Sequence, residues 1–150
     1  MITTEQIKTL REETGLSIMD CRKALEEAQG DRDRAITILK EKGVKTALKK
    51  SGRTLGAGVV ASYIHAGETV GAMIELLCET DFVAKSPEFK SVARDISMHI
   101  AAMNPGDMAT LLEQPFIKDP EQKISDLINH TIQKFGERTE IGHFTRFSIS

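Results

Sequence analysis

The clearest structural signal in this sequence lies in residues 58–80, GVVASYIHAGETVGAMIELLCET. Residues 59–65 are rich in β-branched and aromatic side chains, which pack well on the pleated surface of a sheet. Residues 70–78 are almost entirely apolar, as a strand at the centre of a sheet would be. The Ala-Gly-Glu sequence of residues 66–68 supplies a turn between them. The pattern predicts a β-hairpin.

An amphipathic helix is predicted to follow the hairpin. Ser86 can cap it, and Pro87 suits its first position because the missing N–H of proline would be unpaired there anyway. Apolar residues then recur at helical spacing, and Pro105 follows the end of the pattern. The residues of this apolar stripe are Phe89, Val92, Ala93, Ile96, Ile100 and Met103.

The rest of the C-terminal sequence predicts one more helix and one strand. Residues 106–118 give no clear prediction. Asp119 and Pro120 would open a helix that ends at Gly136, because apolar residues recur at helical spacing between them. Residues 139–149 are predicted to be extended, with four large apolar side chains, Ile141, Phe144, Phe147 and Ile149.

Three short helices are predicted in residues 3–43. Thr3 and Gln6 have the spacing of a capping box, and Gly15, Gly30 and Gly43 suit the ends of the three helices. Helices this short need a shared core. Residues 44–57 are predicted to be a basic linker, either solvated or in contact with RNA or an acidic partner surface. Its cations are Lys45, Lys49, Lys50 and Arg53.

Together these elements predict an α+β protein with two domains. Residues 1–43 would form a three-helix domain, residues 44–57 a linker, and residues 58–150 an α+β core with an antiparallel sheet. The chain has 150 residues, of which 40% are hydrophobic and 28% charged, so a packed core is expected.

Composition excludes several classes of function. The net charge of -2 offers no bulk basic surface for direct binding of nucleic acid. The sequence contains no apolar run long enough to span a membrane, and its polar, acidic start is unlike a signal peptide. A cytoplasmic location is therefore expected. Cys21 and Cys78 both lie in apolar patterns and are interpreted as free buried thiols.

Catalytic and cofactor motifs are missing from the sequence. It has no glycine loop of the phosphate-binding type, and its four histidines have no paired metal-ligand spacing. Cys78 lies close to Glu79 and Asp81, whose charges disfavour a reactive thiolate. The sequence predicts neither an enzyme nor a bound cofactor or metal.

Two segments carry apolar residues where polar ones are expected. Phe82 lies next to an acid, in the connection between a strand and a helix. It could fold back onto the core, or it could be an exposed anchor for a partner. Ile18 and Met19 lie at the tip of a short helix, where they could cover a small core or form a docking patch.

The same two segments resemble the signatures of the elongation factor Ts family. Residues 10–25, LREETGLSIMDCRKAL, resemble its N-terminal signature, and residues 79–85, ETDFVAK, resemble its second one. Residues 114–119, QPFIKD, and residues 144–147, FTRF, also resemble the C-terminal part of this family. The resemblance extends almost from end to end of the chain.

The resemblance implies a fold, a partner and a role for particular residues. The fold would be a UBA-like three-helix domain followed by an antiparallel α+β core. The partner would be GDP-bound elongation factor Tu, and the activity would be guanine-nucleotide exchange. A wedge that disturbs the magnesium site of the partner would consist of Thr80, Asp81, Phe82 and Val83. The docking surface would consist of Arg11, Ile18, Met19, Asp20 and Lys23.

The chain differs from longer family members, which have a duplicated core and a coiled-coil insertion. Only one hairpin-and-helix unit is present here, and residues 104–118 stand where the additional material would be. A second copy of the chain, in a homodimer, is a candidate for the missing half. The main alternative is a UBA-like adaptor without exchange activity, and a thiol or hydrolytic enzyme using Cys78 is a second one.

Overall fold

The computed structural model describes residues 1–149 of the chain. Within that range an N-terminal group of helices precedes a mixed group of strands and helices. In chain order the elements are α1 (Thr4–Thr14), α2 (Ile18–Glu27), α3 (Arg32–Lys50), β1 (Ala57–Ile64), β2 (Val70–Cys78), α4 (Asp81–Ala84), α5 (Pro87–Met103), α6 (Met108–Glu113), β3 (Pro115–Phe116), β4 (Asp119–Lys123), α7 (Ile124–Phe135) and β5 (Glu140–Ser148). This architecture confirms the predicted α+β class.

The first helix begins and ends where the sequence predicts, and the second begins at its predicted cap but ends at Glu27, before the expected end at Gly30. Thr3 and Gln6 form the capping box at the start of α1, and Gly15 ends that helix with a left-handed backbone, φ 69°. The Ser17 hydroxyl accepts a hydrogen bond from the Asp20 N–H at the start of α2. Apolar residues of α1, α2 and α3 share a small core of their own, which consists of Leu10, Leu16, Cys21, Ala24, Leu25, Ala28, Ala35 and Leu39.

The predicted end of the third helix at Gly43 is wrong. Helix α3 continues to Lys50, so the first part of the expected linker, from residue 44, is helical. Lysine, alanine and leucine, which dominate this stretch, are good helix formers. Gly43 is buried because α3 lies against α7 there, and a Cβ at this position would be 2.8 Å from Oε1 of Gln133. The glycine therefore permits a close approach of two helices and does not end one.

The three-stranded sheet has the order β1-β2-β5, with antiparallel pairing throughout. The predicted hairpin and the predicted final strand are both confirmed. Strand β2 lies at the centre, where Ile74 is opposite Ala61 on one side and Phe144 on the other. Helix α5 covers one face of the sheet through its apolar stripe, and Phe89, Ala93, Ile96 and Ile100 are fully buried there.

The prediction that Asp119 and Pro120 open a helix is wrong. Residues 119–123 form β4, which pairs with β3, and the helix begins only at Ile124. Buried His99 ties this small hairpin to α5, because its Nδ1 accepts a hydrogen bond from the Ile117 N–H at 3.1 Å. Burial lowers the pKa of His99 and so favours the neutral imidazole that this bond requires.

Both cysteines are free and buried, as predicted. Desolvation raises the pKa of each thiol, so neither favours the reactive thiolate. In the part of the chain that the structure covers, no helix combines the length and the apolar character needed to cross a membrane.

Candidate functional site

A single helical turn, α4, connects the central strand β2 to helix α5. Thr80 lies just before it, and its hydroxyl oxygen accepts a hydrogen bond from the Val83 N–H at 3.4 Å. Val83 and Ala84 face inward and belong to the core of the sheet domain. The Phe82 side chain faces outward and is 88% exposed. The turn is thus anchored by two small apolar residues and presents an aromatic ring to solvent.

The structure places the four predicted wedge residues on this one turn, in different environments. Thr80, Asp81 and Phe82 are exposed, whereas Val83 is only 5% exposed. The side chain of Val83 therefore holds the turn on the core and does not itself offer a contact surface. The position of Phe82 excludes the alternative that its ring folds back onto the core.

Two glutamates that lie far apart in sequence join this turn to the start of β5. The Glu137 carboxylate accepts hydrogen bonds from the backbone N–H groups of Glu79 and Thr80, at 3.1 and 3.0 Å. The Glu79 carboxylate in turn accepts one from the Arg138 N–H and lies 3.4 Å from the Arg53 guanidinium. The Arg138 N–H is the main reason that the pKa of Glu79 lies below its ordinary value. No apolar pattern or motif in the sequence points to Glu137.

The predicted docking residues lie on α1 and α2. Ile18 and Met19 are 56% and 58% exposed at the first turn of α2, and Arg11 and Lys23 are exposed nearby in the sequence. Asp20 is half-buried and forms an ion pair with Lys42 of α3, at 3.1 Å. Because Leu16 and Cys21 on either side fill the small core, Ile18 and Met19 are left as an apolar patch in solvent.

Helix α7 lies between the two surfaces predicted to dock and to act as a wedge. It packs against α3 at Gly43, and a Cβ at Gly15, the end of α1, would lie 3.3 Å from Nζ of Lys134. The turn that follows α7 carries Glu137 and thereby holds the residues before α4. The two surfaces are therefore linked by packed helices, in addition to the chain connection through residues 51–56.

The face of the sheet opposite α5 is open and carries several large apolar side chains among polar ones such as Ser62 and Glu75. Val60, Ile64, Met73 and Phe147 are all exposed on it, although their side chains are large and hydrophobic. Ile64, Met73, Phe147 and Ile149 line a shallow hollow of about 250 Å³ on this face. Apolar surface of this kind usually marks a contact with another protein surface.

The described residues also lack the ligand arrangement that a metal site needs. Among residues 1–149, no group of three histidine, cysteine, aspartate or glutamate side chains is arranged to hold a metal ion. The arrangement of exposed Phe82 beside Asp81 on a braced turn is suited to contact with another macromolecule, because a fixed aromatic side chain is the usual anchor of an interface.

The fold and this turn define an α+β protein that presents an aromatic side chain between its central strand and its main helix. Comparison with known proteins makes the assignment specific. The sequence model of the family Elongation factor TS matches residues 3–109. The chain belongs to the elongation factor Ts family, whose members are translation elongation factors.

Individual relatives support this assignment over the whole chain. Elongation factor Ts of Carboxydothermus hydrogenoformans is 42% identical over 194 aligned positions, which include 99% of this chain and 89% of the relative. The protein of the same name from Thermodesulfovibrio yellowstonii is 39% identical over 192 positions, with 99% and 96% covered. Both alignments are longer than the 150-residue chain, so these relatives contain internal residues that have no counterpart here.

Proposed function

We propose that this chain is a guanine-nucleotide exchange factor that acts on elongation factor Tu. The observation that carries the proposal is the 88% exposure of Phe82 on a turn whose neighbouring apolar side chains are buried. An aromatic ring in that position costs solubility and adds nothing to the core, so a contact with a partner is its best explanation. Membership of the elongation factor Ts family supports elongation factor Tu as that partner.

The mechanism follows from linkage between two ligands. GDP is held largely through its phosphates and a magnesium ion, which demands near-ideal octahedral coordination. A protein that binds the distorted, nucleotide-poor state of elongation factor Tu more tightly than the intact state weakens GDP binding by the same factor. Phe82 would insert into the partner and displace the elements that support the magnesium ion, with Asp81 as its polar neighbour. No covalent bond is made or broken in the process.

This proposal assigns different tasks to the two surfaces. The patch of Ile18 and Met19, with Arg11, Asp20 and Lys23, would supply affinity for elongation factor Tu. The turn of residues 80–83 would supply the displacement that releases GDP. Action on a translation factor also places the chain in the cytoplasm, where elongation takes place.

Release of a fluorescent GDP from elongation factor Tu tests the proposal directly. We expect saturating amounts of the chain to accelerate release far beyond the spontaneous rate, and to accelerate loading of GTP as well. A release rate that stays at the spontaneous value would overturn the proposal. It would leave the UBA-like adaptor as the better explanation if elongation factor Tu still bound the chain.

The division of tasks predicts the effect of changing the docking patch. Replacing Ile18 and Met19 together with serine should raise the half-saturating concentration for exchange about tenfold, since buried apolar anchors dominate interface affinity. The maximal release rate at saturation should stay close to that of the unaltered chain. Val44 and Leu48, two exposed apolar residues of α3, provide the control when they are both changed to serine. An unchanged half-saturating concentration in the first variant would show that the docking patch lies elsewhere.

The open sheet face predicts self-association of the free chain. Two copies packed through this face about a two-fold axis would bury Ile64, Met73 and Phe147 of both. We expect light scattering to report a dimer at micromolar concentration, and Phe147→Lys to shift the equilibrium to the monomer. Val44→Lys, which adds the same charge on α3, should leave the dimer intact. A monomeric mass at every concentration would contradict this prediction.

A further inference from the structure

The α4 turn is too short to hold its own position. It has four residues, and an isolated helical turn is unstable because nucleation fixes several backbone angles for a single hydrogen bond. Exchange by displacement nevertheless requires that the Phe82 ring be presented in a defined direction. The neighbouring structure must therefore provide the constraint.

Glu137 constrains the segment immediately before α4 through hydrogen bonds. Its Oε1 accepts hydrogen bonds from two successive backbone N–H groups, those of Glu79 and Thr80. Its Oε2 accepts a hydrogen bond from the Thr80 hydroxyl, with 2.7 Å between the two oxygens. Hydrogen bonds to a charged acceptor are roughly twice as strong as neutral ones, so this carboxylate holds the chain immediately before α4 in one conformation.

The Thr80 hydroxyl passes this constraint on to α4 itself. Because it donates its only proton to Glu137, its lone pairs are directed to the opposite side, where it accepts the hydrogen bond from the Val83 N–H. The chain of bonds thus runs from Glu137 through Thr80 to the backbone of the turn. Without the carboxylate, the hydroxyl is free to rotate and two backbone N–H groups lose their partner.

Contacts of Glu79 also hold this segment, through a cation. Arg53 lies 3.4 Å from the Glu79 carboxylate, and the Arg138 guanidinium donates to the backbone carbonyl of Arg53. The Glu79 carboxylate accepts a hydrogen bond from the Arg138 N–H, and the Glu137 carboxylate accepts one from the Glu79 N–H, so each glutamate binds the backbone beside the other. This arrangement joins the end of β2 to the segment between α7 and β5.

We propose that Glu137 is a positioning residue for exchange, which fixes the direction in which the α4 turn presents Phe82. This inference rests on the proposed function and identifies a residue that acts through the turn without touching the partner. The proposal predicts different effects on the maximal rate of GDP release and on the affinity for elongation factor Tu. Loss of Glu137 should lower the maximal rate of GDP release, because the ring is misdirected, while affinity from the docking patch should stay.

The first test is Glu137→Ala, with the full chain and fluorescent GDP on elongation factor Tu. We expect the maximal release rate to fall about tenfold and the half-saturating concentration to change by less than about twofold. Glu137→Gln keeps a carbonyl oxygen for the backbone N–H groups, so it should restore part of the rate. Glu113→Ala, which removes an exposed carboxylate paired with Lys123, is the matched control and should leave exchange unchanged.

A double variant shows whether the effect passes through the aromatic ring. If Glu137 acts by directing Phe82, then Glu137→Ala should have little further effect in a chain that already carries Phe82→Ala. Additive losses in the double variant would overturn the proposal, and so would an unchanged maximal rate in Glu137→Ala.

Thermal unfolding of the same samples shows whether a lower rate in Glu137→Ala simply reflects loss of the folded structure. If Glu137→Ala is unfolded, Glu137→Gln is the variant that tests the proposal. A folded Glu137→Gln chain with a reduced maximal rate supports the proposal, and one with the full rate overturns it. If the unaltered chain does not accelerate GDP release, the proposed exchange function is wrong. That result differs from one in which the unaltered chain is active and the Glu137 variants have its full rate.

Discussion

Phe82→Ala is expected to lower the maximal rate of GDP release from elongation factor Tu by roughly thirtyfold or more. An aromatic anchor at the centre of an interface is worth ~2 kcal/mol or more, and each 1.36 kcal/mol corresponds to about a tenfold change in rate. The ring of Phe82 is 88% exposed, so its removal takes little from the core. Thermal unfolding should therefore shift by no more than a few degrees.

The rate of GDP release and the thermal unfolding temperature should be measured on the same sample, because Phe82→Ala is expected to change the first strongly and the second little. Ile117→Ala is a suitable control, since Ile117 is also an exposed apolar residue but lies between β3 and β4. It should leave the exchange rate unchanged. If Phe82→Ala lowers stability severely, or if it exchanges GDP at the full rate, the assignment of the wedge is wrong.

Phe89→Ala should have the opposite effect: a large loss of stability with little change in the exchange activity of the folded protein. Phe89 lies seven positions further along the chain, is fully buried, and packs edge-on against Phe135 with ring centroids 5.8 Å apart. Truncating a buried phenylalanine typically costs ~3–5 kcal/mol through lost burial and the cavity that remains. That is a large fraction of the ~5–15 kcal/mol that stabilises an ordinary domain.

Urea denaturation followed by circular dichroism would measure the loss for Phe89→Ala. Exchange by the fraction that remains folded should be close to normal, because α4 and its exposed ring are preserved in that fraction. A loss below about 1 kcal/mol would mean that the core around Phe89 rearranges to fill the space, and that α5 is less tightly packed than the structure indicates.

The parts of the fold that follow a simple periodic pattern could be predicted from the sequence. The hairpin, the stripe of α5 and the N-terminal caps of α1 and α2 depend on neighbours within a few residues, and each is confirmed, except that Met103 at the end of the stripe is exposed. The errors arose where tertiary contacts override local signals. Gly43 resembles a helix end but lies in a helix crossing, and Pro120 resembles a helix start but lies in β4.

The candidate site could be predicted only in part. Its segments are recognisable in the sequence, but the exposure of Phe82 depends on how Val83 and Ala84 pack beneath it. A sequence pattern with two apolar residues in a row does not determine which one faces inward. Glu137 could not be found at all, because its contacts join residues 58 and 57 positions apart through polar groups that carry no periodicity.

The pairing of β2 with β5 also sets an order of events during biosynthesis. Strand β2 gains its first partner, β1, from the residues immediately before it, but its second partner, Glu140–Ser148, follows much later in the chain. Domains generally fold as units while the ribosome extends them, and long-range strand pairing is slow. We expect the N-terminal helices to form on the nascent chain first, and the three-stranded sheet to close only after β5 emerges. Under the proposed function, a ribosome-bound intermediate would dock on elongation factor Tu before it could exchange nucleotide.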